Sequence, residues 1–228
     1  MIKKILIATH NPAKLEEIKL GLKELEKYKI QLISLNDVRV EKSPEETGKT
    51  FKENALLKAK FYSNLTQLPT ISDDGGLIIP YLDNEPGVKS RRWLGYDASD
   101  EELISYTLKR LKNTTKKQRT AYLQTCLCFY LPKKTNSKIL SLTRSHQKQN
   151  KKNKDFLILQ EEKIKGYIAF SPSKKRIKGY PFRALFIVEK YNKYYDELTD
   201  EEHQKINHRL TALKKIVKKL KEKLEIEN

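Results

Sequence analysis

The opening of the chain constrains the fold most, because it predicts a strand, a helix and a second strand in immediate succession. The apolar run "IKKILIAT" ends at Thr9, and the helical pattern "HNPAKLEEIKLGLKELEKY" follows it directly. Asn11 is a favoured helix N-cap, and Pro12 falls at the first helical position, where its missing N–H is not needed. A second strand, "IQLISL", comes next. The order strand–helix–strand favours an α/β architecture.

Three further helices are predicted where Ser or Thr is followed three residues later by Glu, which is the pattern of a capping box. Their predicted N-caps are Thr50, Ser99 and Thr199. The last helix should be amphipathic and run from about residue 200 to about residue 225. The clearest long strand is "RTAYLQTCLCFYL". Two shorter strands, "PTISDD" and "LIIPYL", are predicted to be joined by a turn at Gly75 and Gly76.

The composition excludes a membrane-spanning protein. The chain has 228 residues, 38% of them hydrophobic and 33% charged, and contains no run of about 18 apolar residues. No linker or internal repeat is visible, so residues 1–228 are interpreted as one domain. Residues 147–154 contain no apolar side chain and are expected to form an exposed, mobile hairpin tip. The N-terminus lacks the longer apolar region of a signal peptide, and we expect a cytoplasmic protein.

The formal net charge of +18 suggests a polyanionic partner. Most of this charge comes from lysine, and lysine-rich surfaces are often only solvated faces. The sharper alternatives are nucleic acid and a triphosphate. Charge alone does not choose between them.

Polar residues stand where the first strand meets the first helix. Thr9, Asn11 and Lys14 place a hydroxyl, an amide and a cation where free backbone N–H groups and the helix dipole attract an anion. This pattern suits a phosphate, and the alternative is an ordinary turn in which Asn11 only caps the helix. The motif G-x-x-x-x-G-K-[ST] is absent, which excludes a P-loop mechanism.

A second candidate is "EETG", which supplies Glu45 and Glu46 before a helix on which Asn54 and Lys58 share a face. Loop carboxylates with a positioned lysine suit a metal–phosphate site. A solvated surface is the alternative.

A third candidate is the pair Asp73 and Asp74. Neighbouring residues on a strand point to opposite faces, so only one of the two carboxylates can face a given ligand. Such a carboxylate could bind Mg²⁺ or act as a general base, although Asp-Gly is also a common turn signal. A fourth candidate is the pair His208 and Arg209 on the last helix, which could reach a phosphate or a base, or simply be exposed to solvent.

Taken in order, these motifs resemble the inosine/xanthosine triphosphate pyrophosphatase family from Ile5 to about Leu213. The resemblance rests on "T-x-N-x-x-K", "EETG-x-T-F-x-E-N-A-x-x-K-A", "DD-x-G-L", "PGV-x-S-x-R" and "HR-x-x-A-L". It implies a two-lobed α/β fold with a long central mixed sheet flanked by helices and a nucleotide cleft between the lobes. It also implies Mg²⁺-dependent hydrolysis of ITP, dITP or XTP to a monophosphate and pyrophosphate. Relatives are commonly homodimers, which is an expectation by analogy.

The resemblance also implies roles for individual residues. Asp74 would be the proton acceptor and would hold the metal together with Glu46, with Glu45 as the alternative to Glu46. His208 and Arg209 would contact the nucleotide, including its base. The residues that would hold or approach the phosphates are Thr9, Asn11, Lys14 and Lys58. His10, between them, would also contact the substrate.

The base-binding half departs from the family pattern. Gly75 stands where the family usually has serine, so one hydroxyl donor is missing, and His203 stands at the position of a family lysine. The segment "GYPFRALF" aligns with the family's "GFGYDP-[IV]-F", so Tyr180 and Phe182 keep aromatic surface for stacking a base. Arg183, however, replaces the family's aspartate. A carboxylate accepts hydrogen bonds and a guanidinium only donates them, which reverses the hydrogen-bonding pattern offered to a base.

The sequence therefore predicts a nucleoside triphosphate pyrophosphatase and leaves its preferred base open; Arg183 could move the specificity to another base. The alternative is a diverged homologue that binds nucleotide or nucleic acid without turnover, as the high positive charge would allow. The presence of Asp74, Glu46 and Lys14 together argues against this alternative, because binding alone would not need the acids of a metal site.

Overall fold

The computed structural model describes residues 2–132 and 155–224, so the predicted hairpin tip at 147–154 lies outside the described residues. The chain divides into two compact units. The first unit consists of Met1–Asp74, Cys126–Glu161 and Arg209–Asn228, and the second of Gly75–Thr125 and Glu162–His208. The interpretation of residues 1–228 as one domain stays a prediction.

The strands of the described residues form one mixed sheet. They are β1 (Lys4–Ala8), β2 (Gln31–Ser34), β3 (Thr70–Ile79), β4 (Glu85–Pro86), β5 (Thr120–Leu131), β6 (Phe156–Ile168), β7 (Phe186–Val188) and β8 (Lys193–Tyr194). The order in the sheet is β2-β1-β3-β5-β6-β7-β8, with β4 paired to β3. β1 pairs in parallel with β2 and β3, whereas β7 pairs antiparallel with β6 and β8. The predicted α/β class with a long mixed sheet is confirmed.

Five α-helices lie within the described residues. They are α1 (Pro12–Leu22), α2 (Phe51–Thr66), α3 (Asp100–Arg110), α4 (Asp200–Ile206) and α5 (His208–Leu224). The predicted N-caps of α1 to α4 are confirmed, because each cap side chain accepts the backbone N–H of the third residue after it. No helix in this part of the chain is long and apolar enough to cross a membrane.

Each unit has its own apolar core. In the first unit β1 is buried on both faces: Ile5 and Ile7 belong to one apolar cluster, and Leu6 and Ala8 belong to another with Tyr62 of α2. The first of these clusters also contains buried residues of α1 and α5, so helices cover both faces of the strand. The core of the second unit includes Leu77, Ile79, Leu103, Ile164 and Phe186.

The predicted turn at Gly75 and Gly76 is wrong, because β3 continues through both glycines to Ile79. These glycines allow close packing within the second unit rather than a reversal of the chain. A Cβ atom on Gly75 would overlap the backbone carbonyl oxygen of Gln124, and one on Gly76 would overlap the Ser90 hydroxyl. The sequence requirement for glycine here comes from neighbouring segments that approach the strand.

The prediction of one continuous helix from about residue 200 to about residue 225 also needs correction. Asn207 has an extended ψ of 110° and separates α4 from α5. Ile206, at the end of α4, packs on the core of the second unit, whereas Leu210, Leu213 and Val217 of α5 belong to the core of the first. The regular spacing of apolar residues therefore spans two helices that serve different cores.

Candidate active site

The turn from β1 into α1 forms as predicted. Asn11 Oδ1 accepts the Lys14 backbone N–H at 3.1 Å, and Thr9 Oγ1 accepts the Asn11 N–H at 3.2 Å. These local bonds hold the start of the helix, where backbone dipoles favour an anion. His10 is exposed beside them, with its ring edge-on to Tyr62 at a centroid distance of 6.2 Å.

Lys14 and Arg209 meet at Asp73. Lys14 Nζ lies 2.7 Å from Asp73 Oδ2, and Arg209 Nε lies 3.2 Å from Asp73 Oδ1. Arg209 also pairs with Glu17 of α1. The exposed fraction of the side chain is 0% for Asp73, 4% for Arg209 and 19% for Lys14. Solvent exposure, one of the alternatives that the sequence left for Arg209, is therefore wrong.

The next residue, Asp74, belongs to a second charged group. Lys58 Nζ lies 2.8 Å from Asp74 Oδ1 and 2.8 Å from Glu46 Oε1. The loop that carries Glu46 is held to α2 because the buried Asn54 side chain accepts the Gly48 N–H at 2.8 Å. Glu45 is exposed, which favours Glu46 as the acid of this loop.

Burial and the neighbouring charges act in opposite directions on the pKa values of Asp74 and Lys58. Burial raises the pKa of Asp74 above its ordinary value, although the Lys58 and Lys14 charges act to lower it. Burial acts to lower the pKa of Lys58, but the charges and hydrogen bonds of Asp74 and Glu46 outweigh it and raise that pKa to about 12. Lys58 is therefore a permanent cation beside a carboxylate whose proton affinity exceeds that of an exposed aspartate.

The residues of this group fit a hard divalent cation. Asp74 Oδ2 is buried and has no hydrogen-bond partner in the described part of the chain. Across residues 2–132 and 155–224, no three His, Cys, Asp or Glu side chains stand close enough together to hold a metal by themselves. Two carboxylates are nonetheless the protein share that Mg²⁺ commonly takes when substrate phosphates and water supply its other ligands.

In the segment predicted to bind the base, residues 179–186, an arginine side chain lies against an aromatic ring. The Arg183 guanidinium lies 3.5 Å from the centroid of the Tyr180 ring and 4.6 Å from that of Tyr195. Arg183 is buried, as is Phe182, whose ring lies edge-on to Trp93 at 6.4 Å. One face of Tyr180, which was expected to stack a base, is therefore covered by Arg183.

A buried acid that the sequence did not single out accompanies Arg183. Asp196 is 4% exposed, and neither carboxylate oxygen has a partner at ordinary hydrogen-bond geometry among the described residues. Burial raises the pKa of Asp196 to about 6, although the Arg183 charge and the Ile177 backbone amide act to lower it. Nothing in the local sequence distinguishes this acid from its exposed neighbour Glu197.

The two predicted histidines, His203 and His208, belong to the second unit, as residues 179–186 do. The His203 ring is edge-on to Tyr195 at 5.2 Å, and its Nε2 lies 3.4 Å from the Asn207 side-chain nitrogen. His208 is buried rather than exposed.

Within the first unit, Lys14 and Arg209 are brought together at Asp73, and Glu46 and Lys58 at Asp74. The predicted residues of the second unit are Gly75, Tyr180, Phe182, Arg183, His203 and His208.

An α/β fold with a lysine at a helix N-terminus and a lysine-bridged carboxylate pair fits the class of enzymes that hydrolyse nucleotides. The chain belongs to the Ham1 family, whose model matches residues 5–219. A dITP/XTP pyrophosphatase from Thermoanaerobacter pseudethanolicus is 35% identical over 224 residues, which cover 96% of this chain and all of that protein. A dITP/XTP pyrophosphatase from Bacillus subtilis is 34% identical over 220 residues, which cover 96% of this chain and 98% of the relative.

Solved structures agree with this assignment. A HAM1 protein from Coxiella burnetii has a TM-score of 0.75 at 30% identity, covering 97% of this chain and all of that one. The predicted family is confirmed, and with it the predicted enzyme class, a nucleoside triphosphate pyrophosphatase.

Proposed function

We propose that this protein hydrolyses non-standard purine nucleoside triphosphates, of the ITP, dITP and XTP kind, to monophosphate and pyrophosphate with Mg²⁺. The observation that carries the proposal is Asp74, a buried carboxylate held by Lys58 whose second oxygen has no hydrogen-bond partner in the described part of the chain. The names of the relatives, dITP/XTP pyrophosphatases, support the choice of substrate.

In this proposal the side chains divide the work of hydrolysis. Lys14, with the N-terminus of α1, binds phosphate oxygens, and Asp74 accepts a proton from the attacking water. Lys58 places a fixed positive charge beside the reacting phosphates, where charge develops on the leaving pyrophosphate. Asp74 and Glu46 are the residues that would hold Mg²⁺, which supplies charge neutralisation when bound.

Base choice is the finer part of the proposal. Arg183 in place of the family's aspartate offers donors, so we expect selectivity to move towards a base with more acceptors on the edge that it presents. Asp196 is buried in the same unit, and the Arg183 charge acts on its carboxyl group. A return to inosine preference is therefore best tested with both Arg183 and Asp196 changed.

We also propose that the protein is a cytoplasmic homodimer and that its substrate is a nucleotide. Residues 1–228 would act as one functional domain. Nucleic acid is the less favoured partner. A homologue that binds without turnover would show steeply salt-dependent nucleic-acid binding and no hydrolysis.

The experiment is a panel of purine and pyrimidine triphosphates assayed for pyrophosphate release with and without Mg²⁺. We expect release from ITP, dITP or XTP that requires Mg²⁺ and is abolished by Asp74→Asn. Asp83→Asn is the matched control, since Asp83 is exposed and has a positive φ that asparagine tolerates. No release above the Asp74→Asn background from any triphosphate would refute the proposal.

A further inference from the structure

Asp73 and Asp74 are adjacent on β3, yet they take part in different ion pairs. We infer that Asp73 is a positioning residue that aims the Lys14 ammonium at the substrate phosphates, and that Arg209 holds the Asp73 carboxylate in place for this task. This inference rests on the proposed function, because it specifies how the phosphate end of that site is held.

The first step concerns which side chain each oxygen of the Asp73 carboxylate contacts. Oδ2 pairs with Lys14 at 2.7 Å, and Oδ1 accepts from Arg209 Nε at 3.2 Å. A second guanidinium nitrogen of Arg209 lies 3.4 Å from Oδ2, so the arginine holds the carboxylate with both arms of its fork. The carboxylate plane is thereby fixed, and with it the direction in which Oδ2 draws Lys14.

The second step concerns which member of the group a ligand can reach. Asp73 and Arg209 are buried to within a few per cent, whereas 19% of the Lys14 side chain is exposed. An ammonium has three donors, so Lys14 can keep Asp73 and still donate to phosphate oxygens. The accessible cation of this group is therefore Lys14, with Asp73 and Arg209 behind it.

The third step is charge balance. Lys14 and Arg209 contribute two positive charges, and Asp73 and Glu17 contribute two negative ones. A buried carboxylate that stays ionised needs a partner of opposite charge, and removal of one member of such a pair leaves an uncompensated charge. The loss of the Asp73 charge would free Lys14 to leave its position and would keep Arg209 buried beside Glu17.

The test is a double-mutant cycle between Asp73→Asn and Lys14→Met, read by two assays. The first assay is kcat/KM for pyrophosphate release, and the second is calorimetric binding of inorganic tripolyphosphate, which needs no turnover. We expect each single variant to lower both kcat/KM and the affinity for tripolyphosphate. The loss in the double variant should be about tenfold smaller than the product of the two single losses. Equal losses from Asp73→Asn in the presence and absence of Lys14 would overturn the inference.

Three further variants separate positioning from a merely structural role. Asp73→Glu keeps the charge but moves the carboxylate by one methylene, so we expect a folded protein with slower pyrophosphate release and intact tripolyphosphate binding. Glu24→Gln, which removes a surface pair with Lys221, is the matched control and should change neither assay. Arg209→Lys cannot hold Asp73 with two guanidinium nitrogens, so we expect weaker tripolyphosphate binding, and unchanged binding would show that the position of Asp73 does not depend on Arg209.

The two proposals can fail separately. If the wild-type protein releases no pyrophosphate, the proposed function fails, while the tripolyphosphate cycle still reports on Asp73. If the wild-type protein is active and Asp73→Asn or Asp73→Glu matches it in both assays, the positioning role fails and the proposed function stands.

Discussion

The Lys58 ammonium lies 2.8 Å from Asp74 Oδ1, and this ion pair places a lysine whose side chain is 13% exposed against the carboxylate expected to activate water. Lys58 reaches Glu46 at the same distance. Because Lys58 lowers the proton affinity of Asp74 while burial raises it, the pKa of Asp74 depends directly on this lysine.

Lys58→Met should therefore reduce activity and shift its pH dependence. Asp74 acts in its ionised form, so activity is lost as the pH falls through its pKa, which burial already raises above 3.8. Without the lysine charge this pKa rises further, and the acidic limb of the kcat/KM profile should move to higher pH, with a loss of about tenfold or more at the optimum. Lys60→Met, on an exposed position of the same helix, is the control. An unchanged acidic limb in Lys58→Met would contradict this coupling.

Gly75→Ser, which restores the family's serine, should destabilise the protein rather than add a useful hydroxyl. The new Cβ would overlap the Gln124 carbonyl oxygen and lie 3.0 Å from the Thr125 Cα, so backbone must shift. We expect a loss of about 1–3 kcal/mol in the free energy of unfolding, measured by urea denaturation. Gly75→Ala carries the same Cβ without the hydroxyl and should lose as much. A serine variant as stable as the wild type would show that the strand can accept the side chain.

Asp196 should make the protein less stable as the pH rises. Its pKa is raised to about 6 in the folded protein, against 3.8 in the unfolded chain, so the folded state binds the proton more tightly. The corresponding stabilisation is present below about pH 4 and is lost between about pH 4 and pH 6, a change of about 3 kcal/mol. Asp196→Asn does not titrate, so its free energy of unfolding relative to wild type should increase over this range. Parallel profiles for the two proteins would disprove the assignment, and the exposed Asp83→Asn variant serves as control.

Arg183→Asp alone should not restore inosine selectivity. The guanidinium is buried between Tyr180 and Tyr195, and an aspartate there would lose both ring contacts and face the Asp196 carboxylate. We expect destabilisation by about 3 kcal/mol. The double variant Arg183→Asp/Asp196→Asn removes the like charge and should regain stability together with a higher ITP-to-ATP ratio of kcat/KM. If the single variant already shows the higher ratio at wild-type stability, Arg183 and Asp196 are independent.

Local structure was predictable from the sequence wherever it depends on neighbouring residues. Asn11, Thr50, Ser99 and Thr199 cap their helices as expected, because a cap needs only a side chain and an amide three residues away. The ordered motifs were also enough to indicate the family, since several of them carry side chains that meet at Asp73 and Asp74.

The features that the sequence did not reveal depend on distant segments. The pair between Asp73 and Arg209 joins residues 136 positions apart, and only the folded sheet brings α5 to β3. Gly75 suggested a turn because the approach of Gln124 cannot be seen locally. The burial of Asp196 depends on how its segment packs, so the acid looked no different from its neighbour Glu197.

The identity of the products tests the central claim most directly. Phosphorus NMR of the wild-type protein with ITP and Mg²⁺ should show inosine monophosphate and pyrophosphate appearing together, and no such products with Asp74→Asn. The appearance of inosine diphosphate and orthophosphate, or equal turnover by Asp74→Asn, would contradict the assignment of this site as a nucleoside triphosphate pyrophosphatase centred on Asp74.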